Sequence, residues 1–457
     1  MHFQHLIETH KEQLIADLQG CIRIPSVYAD DGSGYPYGQQ VHNCLEYMLS
    51  VARSLGFETY DMDHQLGWCE YGQGDEMVAV LGHLDVVPEG EGWTVEPYGG
   101  IVKDGRIYGR GTMDDKGPTT AALYALLALK EEGIPLKRRV RILFGLNEET
   151  GSADMKYYTA HGGETPVMGF TPDGEYPVIN GEKGLITQGF RCGYTQSGPL
   201  YLVKINGGTA HNIVPNHAKA EFVCSPELAA AIAAREAEDI QCTVTDTGLL
   251  VEARGVAAHG GTPQEGVNAI GRLMMFLAQL PLEGELAAAV KFLAERIALE
   301  WNGESMGIAM SDEVSGDLTL NLGTVEGDGR GFEVKLNYRY PVTRCFEDCG
   351  PQVKAAFEEA GFAETVLTHK KGLYMAPDSE LIQKLLGVYA KCTGLPAEPK
   401  SIGGGTYAKM LPNVVAFGPV FPGDEVREHK ADEFMEISRL IDNAEIIAEA
   451  IRALAGE

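Results

Sequence analysis

The sequence predicts a discontinuous α/β domain with a mixed sheet, interrupted by an inserted α+β domain. Three observations carry that prediction. Strand-like and helix-like runs alternate in the first part of the chain. Near Lys183 the texture changes to antiparallel-looking strands separated by turns, and after Gly372 helical runs return. The boundaries this implies are 1–182 and 373–457 for the interrupted domain and 183–372 for the insert.

The elements follow from local pattern. "MVAVLGHL" (77–84) is a short apolar run ending in polar residues, the mark of a buried strand. "PTTAALYALLALKEEG" opens with Pro118 at a first helical position and ends at Gly133, a natural C-terminal cap. "RRVRILFGLNEE" and "MGFTPD" supply two further strands, giving the strand–helix–strand order of a sheet covered by helices. In the middle portion "YLVKINGGTAHNIVP", "AKAEFVC" and "LTLNLGTVEGDGRGFEVKLNYRYPV" look like antiparallel strands, whereas "GVNAIGRLMMFLAQL" and "LAAAVKFLAERIALEW" look helical. "SELIQKLLGVYAKCTG" and "EFMEISRLIDNAEIIAEAIRALAG" are helices of the returning domain.

Composition narrows the function. The 457 residues carry 65 acidic and 37 basic side chains, a net charge of -28. Such a surface repels phosphate backbones and anionic lipid, so neither nucleic acid nor a membrane is expected as a partner. No run approaches the roughly 18 apolar residues of a membrane helix. The acid-bearing amphipathic start resembles neither a signal nor a transit peptide. Nine cysteines, an odd and scattered set, suit reduced thiols in the cytoplasm better than a disulfide framework. Cys345 and Cys349 lack a second pair, which argues against a zinc knuckle.

Chemistry gathers at strand ends, where ligands collect in such sheets. "LGHLDVVPEGEGW" carries His83 and Asp85, "GRIYGRGTMDDKGP" Asp114 and Asp115, "GLNEETGS" Glu148 and Glu149, "TPDGEYP" Asp173, and "REHKADEF" His429. Each has an ordinary reading alone, as a turn, a solvated acid or a surface histidine. Together, converging carboxylates would repel one another unless cations compensate them. Two histidines with several carboxylates suit a pair of divalent ions, zinc first, with manganese or cobalt also fitting. Calcium is disfavoured, because it prefers all-oxygen shells.

These residues, in this order, resemble the M20 di-zinc metallopeptidases, and among them the PepV-type dipeptidases related to carnosinases. The ordered motifs "GHLDVVP", "GRGTMDDKGP", "NEETGS", "PDGEYP", "GGTAHNIVP", "NYRYP", "GGGTYA" and the late histidine span nearly the whole chain. The resemblance implies a zinc-peptidase catalytic domain with an inserted lid. Asp114 would bridge two zinc ions, with His83 and Asp173 completing one site and Glu149 and His429 the other. Asp85 would accept a hydrogen bond from the far ring nitrogen of His83, and the peptide after Asp114 would be cis. Glu148 would act as general base toward a metal-bridged hydroxide attacking a peptide carbonyl.

For the insert, the resemblance implies that His259 of "GVAAHGGTPQEGVNA" stabilises the oxyanion when the lid closes. Asn212 and Arg339 would clamp substrate, the arginine fork taking a free carboxylate, assisted by backbone N–H groups of Gly403, Gly404 and Gly405. His211 and His217 receive no role. A long insert that imitates a partner's lid points to a monomer supplying its own His259. The implied activity is hydrolysis of dipeptides, β-alanyl-histidine types included. The alternative within the family is a deacylase or desuccinylase of N-acyl amino acids.

Overall fold

The computed structural model describes residues 3–235, 237 and 239–456. The chain divides into two compact units: Met1–Asn180 with Met375–Lys400 and Gly405–Glu457, and Gly181–Tyr374 with Ser401–Gly404. The short Ser401–Gly404 stretch groups with the second unit, although the sequence boundaries assign it to the first. A reason lies in one bond: Arg339 Nη1 donates to the Gly403 carbonyl at 2.6 Å.

In the first unit a mixed sheet runs, in spatial order, through Glu58–Met62, Leu66–Tyr71, Arg139–Gly145, Met77–His83, Met168–Thr171, Val414–Ala416 and Ile179–Glu182. We label Met77–His83 β1, Arg139–Gly145 β2 and Met168–Thr171 β3. β1 lies parallel to both β2 and β3, so all three carboxyl ends open on one edge. Leu66–Tyr71 pairs with β2 antiparallel, which makes the sheet mixed. Every residue of β1 is buried, as its unbroken apolar run requires of a strand covered on both faces.

Three helices of this unit matter below: α1 (Gln4–Ile22), α2 (Gln39–Ser54) and α3 (Lys116–Glu132). In α3 every residue from Lys116 to Leu129 is buried. It packs against β1, α1 and the last helix, Ile437–Ala455. Its start differs from the expectation: Pro118 is the third helical residue, not the first, and Asp115 occupies the N-cap. A proline fits anywhere in the first turn, where N–H groups have no intrahelical acceptor. The C-terminal end falls where expected, with Gly133 left-handed at φ 69°.

The second unit is built on an eight-stranded sheet whose pairings are all antiparallel. We label its two long neighbouring strands β4 (Thr319–Asp328) and β5 (Gly331–Tyr340). Leu200–Gly207 shows the alternating burial of a half-covered strand, interrupted by an irregularity at Leu202–Lys204. Helices Ala269–Leu277 and Gly284–Arg296 contribute to the core of this unit through Leu273, Phe276, Leu286 and Leu293. The Asn268 side chain caps the first of them, accepting from the Gly271 N–H at 3.0 Å.

One contact ties packing to the site. Gly82 precedes His83 on β1, and a Cβ placed there would lie 1.9 Å from Thr119 Oγ1 of α3. Gly82→Ala is therefore expected to push α3 from the strand and destabilise the protein by about 1–3 kcal/mol, measured by denaturant unfolding.

Candidate metal centre

β1, β2 and β3 deliver their functional groups to the same edge. His83 is the last residue of β1, Glu148 and Glu149 follow β2, and Asp173 follows β3. Asp114 enters from the loop before α3, and His429 from the loop before the last helix, held at a left-handed φ of 58°. All six belong to the first unit.

Asp114 is the hinge of the arrangement. Its Oδ1 lies 2.9 Å from His83 Nε2, and its Oδ2 lies 3.0 Å from His429 Nε2. Each oxygen thus serves a different group. His83, Asp114 and Asp173 bring ligand atoms within 4.8 Å of one another, and so do Asp114, Glu149 and His429. Asp173 Oδ2 stands 3.7 Å from His83 Nε2, and Glu149 Oε1 stands 3.1 Å from His429 Nε2. A carboxylate whose two oxygens face two ligand sets is what a pair of ions needs as its bridge.

Electrostatics make the same demand. Burial, with the Glu149 and Asp114 carboxylates nearby, pushes Glu148 up to about 8 despite the opposing His83. Burial and Asp114 push Asp173 well above the ordinary range and also raise Glu149. His83 goes up as well: burial opposes its charge, but the adjacent Asp114 and Asp85 carboxylates outweigh burial. His429 rises to about 11 on its contacts with Asp114 and Glu149. Protons on the two histidines do in this site what cations would otherwise do.

The donor set also fits metal on geometric grounds. His83 Nε2 and Asp114 Oδ1 are both buried without a hydrogen-bond partner, although they face each other. Two such atoms left unpaired is costly unless a third particle receives both. Imidazole nitrogens with carboxylate oxygens, three residues to each group, are the donors of catalytic rather than structural zinc.

The loops carrying these ligands are splinted by carboxylates that face amides. Asp85 accepts the Glu148 N–H at 3.1 Å and the Glu149 N–H at 3.2 Å. Its relation to His83 differs from the expected one. The ring Nδ1 makes its short contact, 2.9 Å, with the Asp85 backbone carbonyl, and the carboxylate stands off at 3.5 Å. Two amide donors already occupy that carboxylate, while the neighbouring carbonyl satisfies the imidazole. The Asp114–Asp115 peptide is cis. Asp115 points back to the fold, accepting from the His83 N–H at 3.1 Å and from Thr119 Oγ1 at 2.9 Å.

Sequence reasoning missed three supports. Glu433, fully buried, accepts from the N–H groups of Gly111 at 3.1 Å, Met113 at 2.9 Å and Asp114 at 3.3 Å. Its other oxygen takes Arg110 Nη1 at 2.7 Å. Asp154 accepts from the Leu146 N–H at 2.7 Å and the Asn147 N–H at 3.1 Å, and the Tyr407 hydroxyl donates to it. Tyr407 also meets the His83 ring edge-on at 6.0 Å.

The remaining predicted residues belong, with one exception, to the second unit. His259, Asn212, Arg339, Gly403 and Gly404 belong to the second unit, and Gly405 to the first. Arg339, on β5, directs Nη2 to His259 Nε2 at 3.2 Å, and both line a cavity of about 300 Å³ with Lys183, Trp301, Gly403 and Gly404. Burial alone lowers the Arg339 guanidinium to about 10. Burial and Arg339 also lower His259, keeping it neutral. The exposed Asn212 lies beside this loop, its backbone carbonyl accepting from the Gly260 N–H at 2.7 Å.

Because Glu433 fixes three amides around Asp114, Glu433→Gln is expected to weaken metal binding by about 10–100-fold. Titration of the metal-free protein with zinc, followed by calorimetry, measures it. Unchanged affinity counts against the splint.

Comparison with known proteins agrees with this geometry. The model of peptidase family M20/M25/M40 matches residues 79–453. The chain is 36% identical over 472 residues to the "Putative dipeptidase YtjP" of Bacillus subtilis (strain 168), covering all of both chains. It is 35% identical over 462 residues to a protein of like name from Staphylococcus epidermidis, covering 98% of each. Among solved structures it resembles the di-peptidase Dug1p of Saccharomyces cerevisiae (TM-score 0.61, 14% identity, 100% and 98% coverage). Human carnosine dipeptidase 1 is similar too (TM-score 0.57, 16% identity, 100% and 99% coverage). Among the described residues no helix is long and apolar enough to cross a membrane. From the matched family model, the full-length relatives and a five-residue donor set centred on Asp114, it follows that the chain belongs to peptidase family M20/M25/M40 and is a metallopeptidase.

Proposed function

We propose that this metallopeptidase is a dipeptidase holding two zinc ions, with manganese or cobalt able to substitute. The observation that carries the reading is the split use of Asp114, one oxygen toward His83 and the other toward His429. His83, Asp114 and Asp173 would hold one ion, and Asp114, Glu149 and His429 the other. Bound there, the ions supply Lewis acidity, lowering the pKa of water from about 15.7 toward 7 and drawing charge from the scissile carbonyl.

The chain's own groups do the rest. Without cations, burial and the neighbouring carboxylates hold Glu148 up at about 8; divalent ions beside it would lower that value and leave the carboxylate ionised, ready to take a proton. It accepts the proton of the attacking water and passes one to the leaving amine nitrogen. Asp85, bound to the Glu148 and Glu149 amides, keeps base and ligand in fixed relation.

Substrate reading we assign to Arg339, Asn212 and the glycines 403–405, and oxyanion stabilisation to His259. Arg339 is a buried cation whose fork meets the Gly403 carbonyl and the His259 ring, neither of them acidic, which suits a carboxylate ligand. A guanidinium only donates, so its contact makes His259 Nε2 an acceptor. A carboxylate that draws the fork away would free His259 to carry a proton and donate it. Segment 183–372 is then the lid of a monomer. The free thiols of all nine cysteines support a cytoplasmic setting.

Three outcomes are expected. Glu148→Gln should lower kcat by about 10²–10⁴-fold with both ions retained, read by steady-state kinetics beside elemental analysis. Asp114→Asn should lose both ions, whereas His429→Ala should lose one. With added zinc or manganese, dipeptides should turn over and N-acetyl or N-succinyl amino acids should not. Turnover of only the acylated compounds would replace this reading with the deacylase.

A further inference from the structure

Behind the ligand loops of the first unit lies a pair of thiols that the proposed hydrolysis does not use. Cys21 sits in the last turn of α1 and Cys44 within α2, both fully buried, with their sulfurs 3.5 Å apart. Lys116, also fully buried, reaches the same place: its ammonium donates to the Cys21 carbonyl at 3.1 Å and to the Ile24 carbonyl at 2.8 Å. Two neutral carbonyls compensate only part of that charge.

Burial alone disfavours a thiolate. At Cys44 the opposing contacts with Cys21, the Lys116 ammonium and Ser26 outweigh burial and bring the thiol down to about 6. Cys21 moves the other way, raised by burial and by Cys44. A thiolate beside a cation, with a neutral thiol in contact, is the arrangement of a nucleophilic and a resolving cysteine. Cys69 is the internal contrast, equally buried but with its thiol pushed up by burial.

We propose that Cys21 and Cys44 are a redox modification site, closing to a reversible disulfide under peroxide. The Cys44 thiolate attacks one peroxide oxygen; an S–O bond forms, the O–O bond breaks, and hydroxide leaves, taking up the proton Cys44 had released. The Cys21 sulfur then attacks the sulfenic sulfur, the S–O bond breaks, and hydroxide departs with the Cys21 proton as water. Two thiols give up two electrons and one peroxide accepts them. The sulfurs must approach by about 1.5 Å to reach a bond of about 2.05 Å. That approach, and the entry of peroxide to two fully buried sulfurs, requires the end of α1 to open transiently. The bridge would lie against the residues flanking Asp85, because Ser26 Oγ donates to the Leu84 carbonyl at 2.5 Å and the Ser26 carbonyl accepts from the Val86 N–H at 3.1 Å.

The test uses the full-length, zinc-loaded protein exposed to hydrogen peroxide, quenched in acid, unfolded and alkylated, then mapped by mass spectrometry. The expected result is a Cys21–Cys44 peptide pair lighter by two hydrogens, recovered as free thiols after dithiothreitol, while Cys69 remains alkylated. In Cys21→Ser, oxidation should halt at a Cys44 sulfenic acid that a cyclic 1,3-diketone traps on unfolding. The proposal is overturned if both cysteines are still alkylated when exposed Cys345 has been oxidised, or if the bridge formed involves Cys69. The wild-type measurement decides the matter even where the serine variant does not fold.

Discussion

Negative charge crowded at the carboxyl ends of three parallel strands is the constraint on which this structure turns. Glu148, Glu149 and Asp173 come together because β1, β2 and β3 run the same way and end together, and the loop before α3 adds Asp114 to them. No arrangement of backbone alone tolerates that, since each carboxylate raises the cost of ionising the next. The two histidines can relieve it by taking protons, and both are drawn upward for that reason. A divalent ion would relieve it better, replacing several proton-mediated contacts and receiving lone pairs from both His83 Nε2 and Asp114 Oδ1.

A second group of carboxylates shapes the site without facing the ligands' open side. Asp85, Asp154 and Glu433 each spend their oxygens on backbone N–H groups of the loops that carry Glu148, Glu149 and Asp114. Charge-assisted bonds of this kind are short and directional, so loops that would otherwise be mobile present their side chains in one geometry. The buried Arg110–Glu433 pair belongs to this scheme. Its desolvation penalty makes it a poor source of net stability, whereas loss of one partner alone would leave an uncompensated charge. Its value is in fixing the Asp114 loop.

What the sequence revealed, and what it withheld, follows from range. His83, Glu149 and Asp173 were legible because apolar strand runs stop at polar residues, a signal contained within each stretch. Their joining with Asp114 and His429 became legible only through the order of motifs along the chain. α3 was recognised from its apolar run and from Gly133, but its start was misjudged, because Pro118 suits any position in a first turn. Glu433 was invisible. Its function rests on amides some 320 positions away in the chain, and an acid in "KADEF" carries no local sign of that. The Asp85 carboxylate was assigned to the imidazole because residue type suggests a partner but not which oxygen turns toward it.

The two units have opposite electrostatic needs. The first gathers carboxylates beyond what its own cations balance. The second buries Arg339 beside a neutral histidine and a backbone carbonyl, neither of which supplies a negative charge. A ligand with a free carboxylate would bring the charge that Arg339 lacks. An N-acyl amino acid shares that carboxylate with a dipeptide but not the ammonium at the other end. On the role proposed for Arg339, discrimination between the two substrate classes would fall to groups that meet the amino end. The surplus of acids around Asp114 is the part of this chain whose charge favours a cation there.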